Sequence, residues 1–262
     1  WLDPSIGYPP DARASTIIMR AVSSPQIEHL KFNGYWTIGL YRSAVMNAHI
    51  GSIEFFGGTN DITPSSISLA YGLREDGPSG FNVTENLWSS AMNRHAYTTG
   101  GENGTTATTN TGGEAYALSP WYRRGYNRYN VLEDATCHNT NGQCIDTHEQ
   151  TVDQRFGHIK IVNSITGPTA YGSGSAGGIS NRAVNTGVDV LSCKGGKFCI
   201  NAQSVEHGVP NTLTIGQVTC SSLPTGKDQD ICVRTEAASG LSRPFSYDIG
   251  TMVVDNYGKG LQ

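Results

Sequence analysis

The densest set of side chains able to move a proton or hold a cation lies between residues 133 and 158. It comprises Glu133, Asp134, His138, Asp146, His148, Glu149, Asp153 and His158. A neutral imidazole and a carboxylate can share a metal ion or relay a proton, so this mixture is raw material for metal-assisted or acid-base hydrolysis. The spacing completes no known arrangement. His148-Glu149 begins like H-E-x-x-H, but Val152 stands where a second imidazole is needed one helical turn later. Asn139-Thr-Asn141-Gly142 is like a calcium loop, yet Cys137 and His148 would fill its first and last ligand positions, and neither suits a hard cation. The plainer reading is a solvated helix start beside an Asn-Gly turn.

A second constellation binds rather than reacts. Residues 119–129 interleave Trp121, Tyr122, Tyr126 and Tyr129 with Arg123, Arg124 and Arg128. Aromatic faces stack on the apolar C–H faces of sugars, and guanidinium forks hold carboxylates or sulfates. Trp121, Tyr122, Arg123, Arg124, Tyr126 and Arg128 are therefore the candidate ligand-binding residues. Arginine packed over an aromatic ring as a cation-π device is the structural alternative.

Other motifs fail on inspection. In Tyr171-Gly-Ser-Gly-Ser-Ala-Gly-Gly178 the serine at 175 has Ser173 two residues before it, so it is no nucleophile elbow, and no Gly-Lys-Ser/Thr makes it a phosphate loop. Arg42, Ser66 and Glu114 follow the order of an ADP-ribosyltransferase, but Gly112 replaces the second glutamate of E-x-E. No cofactor and no metal site is expected, and a non-enzyme is favoured. Two N-x-S/T sequons, at Asn82 and Asn103, fall in expected loop or pre-helix positions.

The six cysteines form three short-range pairs, Cys137 with Cys144, Cys193 with Cys199 and Cys220 with Cys232. Each brackets a polar, glycine-bearing segment, which predicts three hairpins or loops stapled at the neck in an oxidising compartment. None has the C-x2-C spacing of a zinc site. At 262 residues the chain can bury a core without crosslinks, so the disulfides read as local staples. A net charge of −4 leaves no cationic excess for nucleic acid or anionic membrane, and no apolar run reaches the roughly 20 residues of a membrane span. The opening WLDPSIGYPPDAR lacks the regions of a signal peptide and reads as a mature or truncated exported chain.

The elements that must position these groups are mostly strands. Residues 15–22 and 65–73 read as strands, and 35–56 as two buried strands joined near Asn47-Ala-His49. Three helices are expected. One starts at Ser23, with Ile27 and Leu30 on one face; one covers 85–95, with Leu87, Ala91 and His95 at four-residue spacing; one runs from the Thr147–Gln150 capping box to Gly157. Past His158 only strands and turns are read, and no fixed-period repeat is visible.

These readings combine into a β-dominated α+β fold, an antiparallel sheet or sandwich with two or three short helices and three local disulfides. Residues 1–97 would form an N-terminal lobe, 98–113 a flexible Gly/Thr/Asn loop or linker, and 114–262 a disulfide-stapled β lobe, or all would be one continuous domain. The expected function is an exported, extracellular structural or adhesive protein, a subunit or tip of a pilus, fimbria, fibre or spike, with glycan binding through the 119–129 segment. Its partners would be further subunits, itself or a surface glycan. A secreted hydrolase using the histidines and carboxylates of 133–158 is the alternative.

Overall fold

A computed structural model describes residues 15–34, 38–57, 71–92, 94–100, 127–140, 142–147, 151–162, 177–196, 198–203, 211–221, 231–236, 245–255 and 259–261. These residues form two β-sheets whose strands all pair in parallel, and the chain visits the two sheets in turn, coil upon coil. The first sheet stacks β1 (Ser15–Arg20), β3 (Ile38–Ser43), β5 (Tyr71–Asp76), β7 (Tyr97–Gly100), β10 (Gln143–Thr147), β12 (Gly177–Asn181), β14 (Phe198–Gln203), β16 (Ile231–Glu236) and β18 (Lys259–Leu261). The second stacks β2 (Gln26–Asn33), β4 (His49–Phe56), β6 (Val83–Ser90), β9 (Val131–His138), β11 (Thr151–Val162), β13 (Val184–Lys194), β15 (Asn211–Ser221) and β17 (Phe245–Asp255), and the two-residue β8 (Asn127–Arg128) pairs with β11. At about 4.8 Å per strand, the nine-stranded sheet rises about 40 Å. The strands of one sheet serve as the crossovers of the other, which is how parallel pairing is met without helices.

The antiparallel α+β expectation is thus overturned: the sheets are parallel, and the described residues hold no helix. The reason lies in how the strands of the second sheet bend. Their buried positions fall at i, i+3 and i+5: Ile50, Ile53 and Phe55 in β4, Leu132, Ala135 and Cys137 in β9. A two-residue kink after the first inward side chain lets positions three apart share the core face, and that spacing imitates a helix. Ile27 and Leu30, expected on one helical face, point into the core from β2. Leu87 does so from β6, while Ala91 turns the corner at φ 57° and His95 lies ahead of β7, so the 85–95 helix dissolves. Thr147 ends β10 and β11 opens at Thr151, so the capping box straddles two sheets.

The strands expected within 35–56 are present as β3 and β4, but they belong to different sheets and pair with other coils. Both sheets run on across 101–126, since β7 pairs with β10 and β6 with β9. Residues 101–113 of the expected linker lie outside the described residues.

The core is a set of side-chain columns repeated at every coil. Ile50, Thr84, Leu132, Phe156, Val188 and Ile215 form one, and Ile53, Leu87, Ala135, Ile159, Leu191 and Val218 the next. The third inward column faces the first sheet across the corner leading from the second sheet back to it. There Phe55 fills the space in front of Gly39 and Gly72, where an added Cβ would come within 2.6 and 2.8 Å of its ring. Lower in the same column the aromatic ring gives way to sulfur, and the corner is closed covalently. The Cys137–Cys144, Cys193–Cys199 and Cys220–Cys232 disulfides span Cα–Cα distances of 5.7–5.9 Å. The expected pairing holds, but the bonds join one sheet to the other at the coil corner and are not hairpin necks.

All six cysteines are buried, so reductant should not reach them in the folded protein. Dithiothreitol without denaturant is expected to leave three disulfides, counted by mass after alkylation, while the same treatment in denaturant removes them. Each short loop closure should contribute about 2–3 kcal/mol, read as the loss on replacing one pair by alanine.

Candidate functional site

The corner that leads from the first sheet into the second is built from residues that tolerate a left-handed backbone. Six successive coils place one such residue at the same point: Ser24, Asn47, Phe81, Tyr129, Asp153 and Asn185, with φ between 54° and 58°. Their alignment follows from the bridges Ser23↔Met46, Met46↔Gly80 and Gly80↔Arg128 and from the pairs Arg128↔Val152 and Val152↔Val184. Asparagine, aspartate and serine suit this conformation, because a short polar side chain can bond locally; bulky aromatic residues do not, and are outliers there. Phe81 and Tyr129 nevertheless occupy it on adjacent coils. They stack at 5.0 Å between ring centroids with planes 24° apart, and they remain 49% and 47% exposed.

What holds them is the residue after each. Asn82 is buried, accepts a hydrogen bond from Ala48 N–H at 2.8 Å, and donates to Val45 C=O and to Glu75 Oε1 at 3.1 and 3.2 Å. Asn130 accepts one from Asn82 N–H at 3.1 Å and donates to Asn127, whose amide reaches Glu75 C=O at 2.9 Å. Inside this asparagine ladder sits an ion pair: Arg42 Nη2 lies 2.5 Å from Glu75 Oε1, with side chains only 1% and 0% exposed. Tyr97 O–H donates to the other carboxylate oxygen of Glu75. The exposed aromatic pair thus stands on a buried, hydrogen-bonded network.

Burial and then the Glu75 charge raise the Tyr97 phenol well above the ordinary tyrosine value, and burial and then Asp76 do the same to Tyr41. The folded protein keeps these two protons while the unfolded chain releases its own near pH 10. Stability should therefore be level below that pH and fall as pH rises through it. The urea midpoint between pH 8 and 11.5 measures this, and Tyr97→Phe should lower the midpoint at pH 8 yet flatten its alkaline fall; an unchanged slope would sink the assignment.

Asp146 and His95 meet as a buried pair at the first sheet, with Nε2 of His95 3.2 Å from Asp146 Oδ2 and Arg182 Nη2 2.7 Å from both carboxylate oxygens. On the solvent face of the second sheet His158 Nδ1 lies 3.1 Å from Asp134 Oδ1. His138 packs at 5.7 Å on Trp88, and Asp153 accepts from the Asn185 amide in the corner row. The groups expected to cluster at 133–158 are separated, with Asp146 buried and the other described ones on the solvent face of the second sheet or in the corner row, because successive strands lie in opposite sheets. His148 and Glu149 lie outside the described residues, as do Ser66, Glu114, Asn103 and residues 171–176. Arg42 is the buried partner of Glu75. No group of three or more metal-ligating side chains occurs among the described residues.

Of the expected binding residues, Trp121, Tyr122, Arg123, Arg124 and Tyr126 lie outside the described residues. Arg128 precedes Tyr129, and its Cγ is 3.1 Å from where a Cβ on Gly80 would stand. Phe81 was not among the candidates. The signal for it is the tripeptide aromatic-Asn-Val, present as Phe81-Asn82-Val83 and again as Tyr129-Asn130-Val131. The Asn82 sequon has a structural cause, since its amide is consumed inside the ladder. No family model, no characterised protein and no solved structure matches this chain.

Proposed function

We propose that this is an exported structural or adhesive protein, a subunit or tip of an extracellular pilus, fibre or spike that attaches to surface glycans. The observation that carries the reading is the exposed Phe81–Tyr129 stack, held out in an unfavourable backbone conformation on a fold of unbroken parallel ladders. Strain of this kind persists where the surroundings enforce it, and a pure scaffold has no use for it at a solvent-facing corner. Three buried disulfides fit an oxidising, extracellular setting. No helix among the described residues is long and apolar enough to cross a membrane.

The oxidised 262-residue chain should sediment as a species larger than a monomer and bind members of an immobilised glycan panel. A strict monomer that binds no member of the panel contradicts the reading.

A further inference from the structure

We infer that the corner row from Ser24 to Asn185 is the binding site, and that its ligand is an uncharged glycan chain lying along the stacking direction of the coils. This rests on the adhesive reading above and gives it a place and a substrate class. The row runs unbroken over six coils, about 24 Å at the inter-strand spacing. Its centre is the Phe81–Tyr129 stack, which offers exposed ring surface to sugar C–H groups. On one side stand Asn47 and Ser24, on the other Asp153 and Asn185, so amide, hydroxyl and carboxylate groups flank the rings at both ends. Apolar centre and polar flanks match a polyhydroxylated chain with alternating C–H faces and hydroxyl edges.

The charges of the described residues favour a neutral glycan over an acidic one. Asp153 is the row's one ionisable carboxylate, and it accepts a hydrogen bond from the Asn185 amide. Among the described residues the neighbouring Arg128 brings the row's sum to zero, which leaves them no cationic excess to hold uronates, sialates or sulfates. The protein's net charge of −4 acts in the same direction. The αL backbone supplies the second, independent observation. The fold needs only a small polar residue at this corner, as Asn47 and Asn185 show, yet two coils place large rings there.

Affinity electrophoresis tests this with the oxidised 262-residue chain in native gels containing dextran, amylose, mannan, xyloglucan, alginate or heparin. At least one of the four uncharged polysaccharides should retard the protein, and alginate and heparin should not. The double substitution Phe81→Asn and Tyr129→Asn, which gives the corner the residue its other coils carry, should weaken that retardation at least tenfold while the melting temperature holds or rises. Retardation by the acidic polymers alone overturns the substrate class. Undiminished retardation of the folded double variant overturns the site while the adhesive reading stands. No retardation by any polymer overturns both.

Discussion

Arg42→Met is expected to cost about 3–5 kcal/mol, because it leaves the Glu75 carboxylate buried without its cation. Glu75 keeps hydrogen bonds from Tyr97 and Asn82, but neither supplies the lost charge. The double variant Arg42→Met with Glu75→Gln removes both charges and should recover a large part of the loss, which a double-mutant cycle in urea reads directly. The same network positions Asn82 and Asn130, so the single variant should also loosen the Phe81–Tyr129 corner. A single-variant cost below about 1 kcal/mol would show that the pair is not buried as described.

Gly178→Val is expected to prevent accumulation of the oxidised fold. A Cβ at this position would lie 2.0 Å from the Cys199 carbonyl oxygen and 3.1 Å from Cys193 Sγ. Gly178 stands in the same column as Cys144, Cys199 and Cys232, so it is the empty rung between stacked disulfides. The clash is with backbone, which cannot step aside without breaking the register of β12 against β14. The measurement is the soluble yield and the disulfide map of the variant. Gly178→Ala should be impaired in the same way but less, while soluble Gly178→Val with all three native disulfides would refute the corner packing.

How much of this was legible in the sequence can be argued from single coils. The three disulfides were readable because each pair closes within one coil, where separations of 6, 7 and 12 residues are local facts. The parallel stacking was not, because the repeat has no fixed period. Equivalent residues lie 23 apart from His29 to Ser52, 34 from Ala48 to Asn82, 48 from Asn82 to Asn130 and 24 from Asp134 to His158. A search at constant spacing averages such a signal away. What persists is a short motif, apolar-x-x-apolar-x-apolar, with a glycine or acidic residue often second: Ile27-Glu-His-Leu-Lys-Phe32, Ile50-Gly-Ser-Ile-Glu-Phe55, Phe156-Gly-His-Ile-Lys-Ile161, Ile215-Gly-Gln-Val-Thr-Cys220 and Ile249-Gly-Thr-Met-Val-Val254. Its three-residue step is a bent strand, and taking Ile27 and Leu30 for a helical face produced the helix expected from Ser23.

Of the proposed corner site, only one neighbourhood stood out in the sequence, for a related reason. Aromatic and cationic density drew attention to residues 119–129, and Tyr129 and Arg128 do border the corner. Phe81 lies 48 positions earlier and meets Tyr129 only because 48 residues separate those two coils. Neither composition nor local spacing predicts that juxtaposition. Likewise His95 and Asp146 meet across adjacent coils, far apart in the chain.

The most direct test of the central claim is to follow side-chain NMR signals while titrating an oligosaccharide of whichever uncharged polysaccharide retards the protein. Trp88, packed at a tilt on Phe56 with ring centroids 4.4 Å apart and half-buried on the second sheet, provides an internal aromatic control. Shifts confined to the rings of Phe81 and Tyr129, the side-chain amides of Asn47 and Asn185 and the carboxylate-bearing side chain of Asp153 are the predicted result. Shifts centred on Trp88 and Phe56, with the corner row silent, would contradict it.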